Sequence, residues 1–176
     1  MQNRGPKQPP VARTTLRRLA ACAALAPALA LAGPADDYDA LILRARAGDY
    51  EPALAMLRQQ GPAAGARAIQ DHIIIAGWAG KPAEAIAAYE SLPSGAALPG
   101  DVQLAVARAY RDERRWPQAL AAFREGLRRH PGQSAFAAGE IMTLADAGQF
   151  DPALAAGRQW VASQPRNPDA RLALAY

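Results

Sequence analysis

Nucleophilic, acid–base or metal chemistry would have to come from a short inventory: His72, His130, Cys22 and scattered carboxylates. His72 follows Asp71 directly, and adjacent residues on a helix do not face each other, so the sequence offers His72 no local partner. His130 closes a helix, where a cation complements the C-terminal end of the helix dipole. No glycine-rich phosphate loop and no metal-ligand spacing is present. Carboxylates occur at most once per helical turn, as on a solvated face. The chain reads as a non-enzyme with no cofactor and no metal. What remains is binding chemistry, carried by Gln70, Trp78, Arg108, Asp112 and Asp146. Asp112 and Asp146 lie 34 residues apart, a spacing that gains meaning from the elements beneath it.

Those elements repeat. Ala85, Ala119 and Ala153 follow one another at 34-residue intervals, and Ala53 lies 32 before Ala85. Gly48, Gly80 and Gly148 sit five residues ahead of their alanines, with Arg114 in the equivalent place of the third copy. Tyr50, Trp116 and Phe150 each stand three residues ahead. The best-defined copy runs from Asp101 to Pro131. There Val102, Val106 and Tyr110, then Leu120, Phe123 and Leu127, mark two amphipathic helices. Ala107 and Ala119 are small where those helices should cross. A 34-residue helix–turn–helix period with a terminal proline resembles the tetratricopeptide repeat.

The expected fold is all-α: a tetratricopeptide-repeat superhelix of about four helical hairpins plus the start of a fifth. Helices are predicted near Asp36–Ala47 and Pro52–Gln60, Ala64–Ala79 and Pro82–Leu92, the hairpin already described, Ser134–Ala147 and Pro152–Ser163. A ninth begins at about Pro168. In such arrays the first helices of successive hairpins form a concave surface. Projecting the frame places Arg67, Gln70, Ile74 and Trp78 there, then Asp101, Arg108, Arg111 and Asp112, then Met142 and Asp146. Asp112 and Asp146 should stack on one side of this groove. Trp78 is either a stacking platform for a sugar or a buried helix contact. Stacked repeats need a polar terminal cap, whereas Pro168 to Tyr176 offers Leu172, Leu174 and Tyr176, so the domain reads as truncated at its C-terminus.

Residues 1–32 form a separate zone, a secretory signal, with the repeat domain at 33–176. A basic region ends at Arg18, a 13-residue apolar run covers Leu19 to Leu31, and Ala30-Leu31-Ala32 supplies a small-residue cleavage site. The run is too short for a spanning helix of roughly 20 residues. Cys22 has too little apolar sequence before it for a lipid-modified cysteine, and the flanks of Arg17-Arg18 are unspecific for a twin-arginine signal. Cleavage removes Cys22, leaving the mature chain without a thiol. Charge follows the same boundary. Of 20 basic and 16 acidic residues, five basic ones and no acids lie in 1–32, which leaves 15 against 16, a net of −1. A near-neutral body lacks the basic footprint of a nucleic-acid binder.

Tyr38-Asp-Ala-Leu-Ile-Leu-Arg-Ala-Arg-Ala-Gly48 with Pro52-Ala53-Leu54, then Trp78-Ala-Gly80, then Val106-Ala-Arg-Ala-Tyr110-Arg with Trp116, form an ordered series. It continues through Ile141-Met-Thr-Leu-Ala-Asp-Ala-Gly148 and Phe150-Asp-Pro-Ala-Leu154. In order and spacing it resembles the N-terminal repeat region of the outer-membrane porins that export poly-β-1,6-N-acetyl-D-glucosamine, a biofilm polysaccharide. The resemblance implies a periplasmic repeat domain joined to a C-terminal β-barrel. It also implies partly deacetylated polysaccharide as ligand and a periplasmic deacetylase or other protein as partner. The sequence carries no run of alternating strands for such a barrel, so contact with the outer membrane would come only through a barrel absent from this chain. The deacetylated amines would be cationic, which makes Asp112 and Asp146 candidates for meeting them. A free-standing periplasmic scaffold for protein partners is the alternative reading, and the repeat segment of a cellulose-type exporter a third.

Overall fold

Alanine and leucine at helical spacing, punctuated by glycine and proline, produce paired helices along the whole described region. The computed structural model describes residues 34–174. The leader at 1–32, its Cys22 and its cleavage site lie outside the described residues, as do the side chains of Leu174 and Tyr176. The elements are α1 (Pro34–Arg46), α2 (Tyr50–Gln60), a short 3-10 turn (Gly61–Ala64), α3 (Ala66–Trp78) and α4 (Pro82–Glu90). Then come α5 (Gly100–Asp112), α6 (Trp116–Arg129), α7 (Ser134–Asp146), α8 (Phe150–Ser163) and α9 (Pro168–Leu174). No strand occurs among the described residues. The fold is all-α and of the tetratricopeptide type. No helix among the described residues is long and apolar enough to cross a membrane.

Helix ends depart from the sequence expectation in instructive places. The second helices start on the aromatics Tyr50 and Phe150, two residues before the prolines at 52 and 152. Proline tolerates the whole first turn, where N–H groups have no intrahelical acceptor. The Gly61-Pro62 stop is a 3-10 turn that ends at Gly65 with φ +85°, so α3 begins at Ala66.

Within each hairpin the turn has one construction. The first helix closes with a backbone bond from the residue after the turn to a carbonyl five positions earlier. The four are Asp49 N–H to Arg44 O (3.1 Å), Lys81 to Ala76 (2.9 Å), Arg115 to Tyr110 (2.8 Å) and Gln149 to Leu144 (2.8 Å). This closure needs a left-handed residue just before the donor. Gly48, Gly80 and Gly148 supply it at φ +98°, +66° and +73°, and Arg114 does so at +56°. A side chain in this region costs about 1–2 kcal/mol. Arg114→Gly should therefore raise stability by up to about 1 kcal/mol, after the entropy that glycine adds to the unfolded chain. A urea midpoint that does not rise would contradict this.

The hairpins stack so that first helices adjoin first helices: α1 on α3, α3 on α5, α5 on α7, α7 on α9. The small residues sit at the crossings, with Ala53, Ala85, Ala107 and Ala119 fully buried. The core is a row of side chains rather than one centre. One cluster runs from Ile42 through Ile73 and Val106 to Phe123 and Phe136, and a second from Leu120 through Trp160 to Ala170. Ala170 of α9 is fully buried while Leu172 is 73% exposed.

Candidate functional site

Because first helices adjoin, one face of each contributes to a continuous surface. Between α3 and α5 it deepens into a groove of about 250 Å³ lined by Ile74, Trp78, Asp101, Leu104, Arg108 and Asp112. Arg108 also borders a second hollow of about 560 Å³, which Arg111, Met142 and Leu172 continue across α7 and α9. Trp78, Arg108 and Asp112 thus come together, as the repeat frame predicted. Trp78 is 50% exposed, which settles its role as a wall of the groove rather than a buried contact.

Charge in the groove is unevenly committed. Asp112 and Arg108 have no hydrogen-bond or ion-pair partner among the described residues. One oxygen of Asp101 accepts the Val102 N–H at 3.0 Å. Asp146, by contrast, stands 3.7 Å from the Nε of Arg111, whose Nη1 lies 3.7 Å from the Met142 sulfur. Arg111 therefore bridges α5 to α7 and compensates Asp146, while Asp112 stays available. Gln70 stands apart from this group. The groove occupies only the second half of α3, from Ile74 to Trp78, and half-buried Gln70 lies a turn before it.

Arg67, the other α3 cation, is occupied internally. It pairs with Asp39 at 2.7 Å, lies 3.9 Å from Asp71 and sits 5.2 Å from the centre of the Tyr38 ring. The Tyr38 hydroxyl donates to Asp71 at 2.6 Å. Burial, then the Asp71 carboxylate, push the Tyr38 phenol well above its ordinary range. This end of the surface is a structural tie between α1 and α3.

The expectation that His72 lacks a partner is corrected. Its Nε2 lies 2.6 Å from Glu84 Oε1 across the α3–α4 hairpin. The partner is twelve positions away, so a search along one helix could not find it. Arg58 from α2 grips both oxygens of Glu84 at 2.8 Å, and also reaches Glu51, which Lys81 holds at 2.5 Å. The Arg58 guanidinium, ahead of His72, pulls the Glu84 carboxyl down to about 2. Ser91 shares this hollow, but its hydroxyl donates to Ala88 O at 2.6 Å. The cluster staples three helices, although solvent screens its exposed pairs. His130 stands at the end of α6 as expected, its N–H on Gly126 O at 2.8 Å and its ring stacked on Phe136 at 5.9 Å.

An exposed indole beside one free and one half-free carboxylate, on an open surface of stacked helices, is equipped to hold a ligand. Aromatic faces attract cations and the apolar faces of rings, and the carboxylates fix orientation. Comparison with known proteins gives the following. No family model and no solved structure matches the chain. The poly-beta-1,6-N-acetyl-D-glucosamine export proteins of Escherichia coli strain K12 and of Escherichia coli O157:H7 are each 33% identical to it over 159 residues. That match covers 90% of this chain and 20% of theirs, so the chain spans about a fifth of the length of these relatives. With repeats of the expected type and this degree of identity along nearly its whole length, the chain is similar to one part of the poly-beta-1,6-N-acetyl-D-glucosamine export proteins.

Proposed function

We propose that the chain is the periplasmic repeat domain of an outer-membrane exporter of poly-β-1,6-N-acetyl-D-glucosamine. In this reading residues 1–32 direct export across the inner membrane, and the pore is a β-barrel outside this chain. The groove over α3, α5 and α7 holds partly deacetylated polymer in transit, and the repeat surface meets a periplasmic deacetylase or another protein partner. The domain itself carries out no reaction and uses no cofactor. The observation that carries the reading is the 33% identity across 90% of the chain, together with Trp78 and Asp112 facing one groove.

The groove suits transit because its hold is modest. The amines of deacetylated units are cationic when protonated, and an unpaired Asp112 attracts them in that form. Trp78 offers a face for the sugar ring. Arg108 limits the attraction, and a conduit needs binding favourable enough to enter and weak enough to leave. Trp78→Ala is expected to weaken binding of a partly deacetylated β-1,6-glucosamine oligomer about tenfold, the equivalent of about 1.4 kcal/mol. Asp112→Asn should weaken it severalfold, with the loss shrinking as salt rises. Isothermal titration with both variants checks this. Unchanged affinity in both, with helicity intact, would refute the groove assignment.

A further inference from the structure

A larger hollow lies elsewhere, on the opposite side of α5. Gln103 and Tyr110 are seven residues apart and share one helix face, about 180° around from Asp101, Arg108 and Asp112 at roughly 100° per residue. They line a hollow of about 600 Å³ between the end of α4, the segment 91–99, α5 and α6. Its origin is a shortened helix. α4 has 9 residues where α6 and α8 have 14, so about 7 Å of helix is missing at 1.5 Å per residue. The gap exposes Ala121 and half-exposes Ala122 on α6.

The lining mixes polar and apolar side chains. Gln103 is only 5% exposed, and its Nε2 donates to Ala122 O at 3.1 Å. Its Oε1 has no protein partner among the described residues and is open to solvent. Tyr110, 7% exposed, reaches Glu90 through its hydroxyl at 3.4 Å. Tyr89 meets Tyr110 edge to face, 6.2 Å between ring centres. Glu90 also faces Arg115 at 3.4 Å, and Glu125 is paired with Arg128 and Arg129. The charges here are compensated, unlike that of Asp112.

We propose that this hollow is a binding site for an acetylated, uncharged N-acetylhexosamine unit of a saccharide. The inference rests on the reading of the chain as a polysaccharide-handling domain. Gln103 Oε1 accepts the acetamido N–H, Ala121 and Ala122 take the methyl, and Glu90, Gln118 and Tyr110 read ring hydroxyls. The volume falls within the roughly 300–1,000 Å³ of ligand-sized pockets. The two faces of α5 would then sort the polymer by chemistry, acetylated units on one side and free amines on the other.

The test titrates the full chain with a fully acetylated β-1,6-N-acetylglucosamine oligomer and separately with a β-1,6-glucosamine oligomer. Ala121→Trp, at an exposed position, fills the hollow. It should weaken the acetylated oligomer at least tenfold and leave the glucosamine oligomer unaffected, whereas Asp112→Asn should weaken the glucosamine oligomer alone. The assignment is overturned if the acetylated oligomer binds Ala121→Trp as well as it binds the parent chain. It is also overturned if that oligomer fails to bind the parent chain while the glucosamine oligomer binds, a result that leaves the exporter reading standing. Failure of both oligomers sinks both.

Discussion

Gly139→Ala is expected to destabilise the domain by about 2 kcal/mol, and Gly126→Ala by a similar amount. Isolated helices would give the opposite sign, because alanine is favoured over glycine by about 1 kcal/mol in a helix interior. Packing decides the matter. A Cβ on Gly139 would fall within the ring of Phe123, and one on Gly126 within the ring of Phe136. The arrangement is reciprocal: α6 presents Phe123 to a glycine of α7, and α7 presents Phe136 to a glycine of α6. Both rings are fully buried, so neither can swing away without disturbing its neighbours. Overpacking of this kind costs about 1–3 kcal/mol or more, which outweighs the gain in propensity. Thermal unfolding should show a Tm lowered by about 4–8 °C, at 2–4 °C per kcal/mol for a chain of this size. A Tm that stays put or rises would show that the rings have room to yield.

The same interlock marks where sequence reading stops. Ala107 and Ala119 could be placed at the α5–α6 crossing because alanine is small and still helix-forming. Gly126 and Gly139 look instead like weak points in their helices, and only the facing phenylalanines explain them. Regular spacing, along each helix and from one repeat to the next, was likewise enough to place Trp78, Arg108 and Asp112 on a common face. It failed for His72, whose partner Glu84 lies on the next helix. It also failed for Gln70, because periodicity gives the face of a helix but not how far along it a groove extends. Arg114 was visible as the residue in a glycine's place, and its left-handed backbone follows from the shared turn. The hollow beside Gln103 was not visible, since it depends on α4 ending at Glu90 while its neighbours run on. Sequence patterns within an element were readable; distances between elements were not.

Phe123→Ala is expected to cost about 4 kcal/mol, near the middle of the range for deleting a buried phenylalanine side chain. Its position makes the consequence more than a lower midpoint. The core consists of two clusters, and Phe123 belongs to the first while its ring lies on Gly139 of α7, among the helices of the second. In stacked repeats stability is a sum of intrinsic and nearest-neighbour interface contributions. Emptying the α6–α7 interface should therefore let α7–α9 unfold separately, while α1–α5 keep Leu54, Ile73, Ile86 and Val106 buried together. Hydrogen exchange should show amides of α7–α9 losing protection at lower urea than those of α3 and α5. Retention of one sharp transition at every amide would count against the joint. The double variant separates this account from general fragility. With the ring gone, Gly139→Ala no longer meets an obstacle, so adding it to Phe123→Ala should be neutral or stabilising by up to about 1 kcal/mol. The effect of one methyl group would then change sign with its neighbour, and a Gly139→Ala penalty undiminished in the Phe123→Ala background would mean the glycine is required for some reason other than the ring.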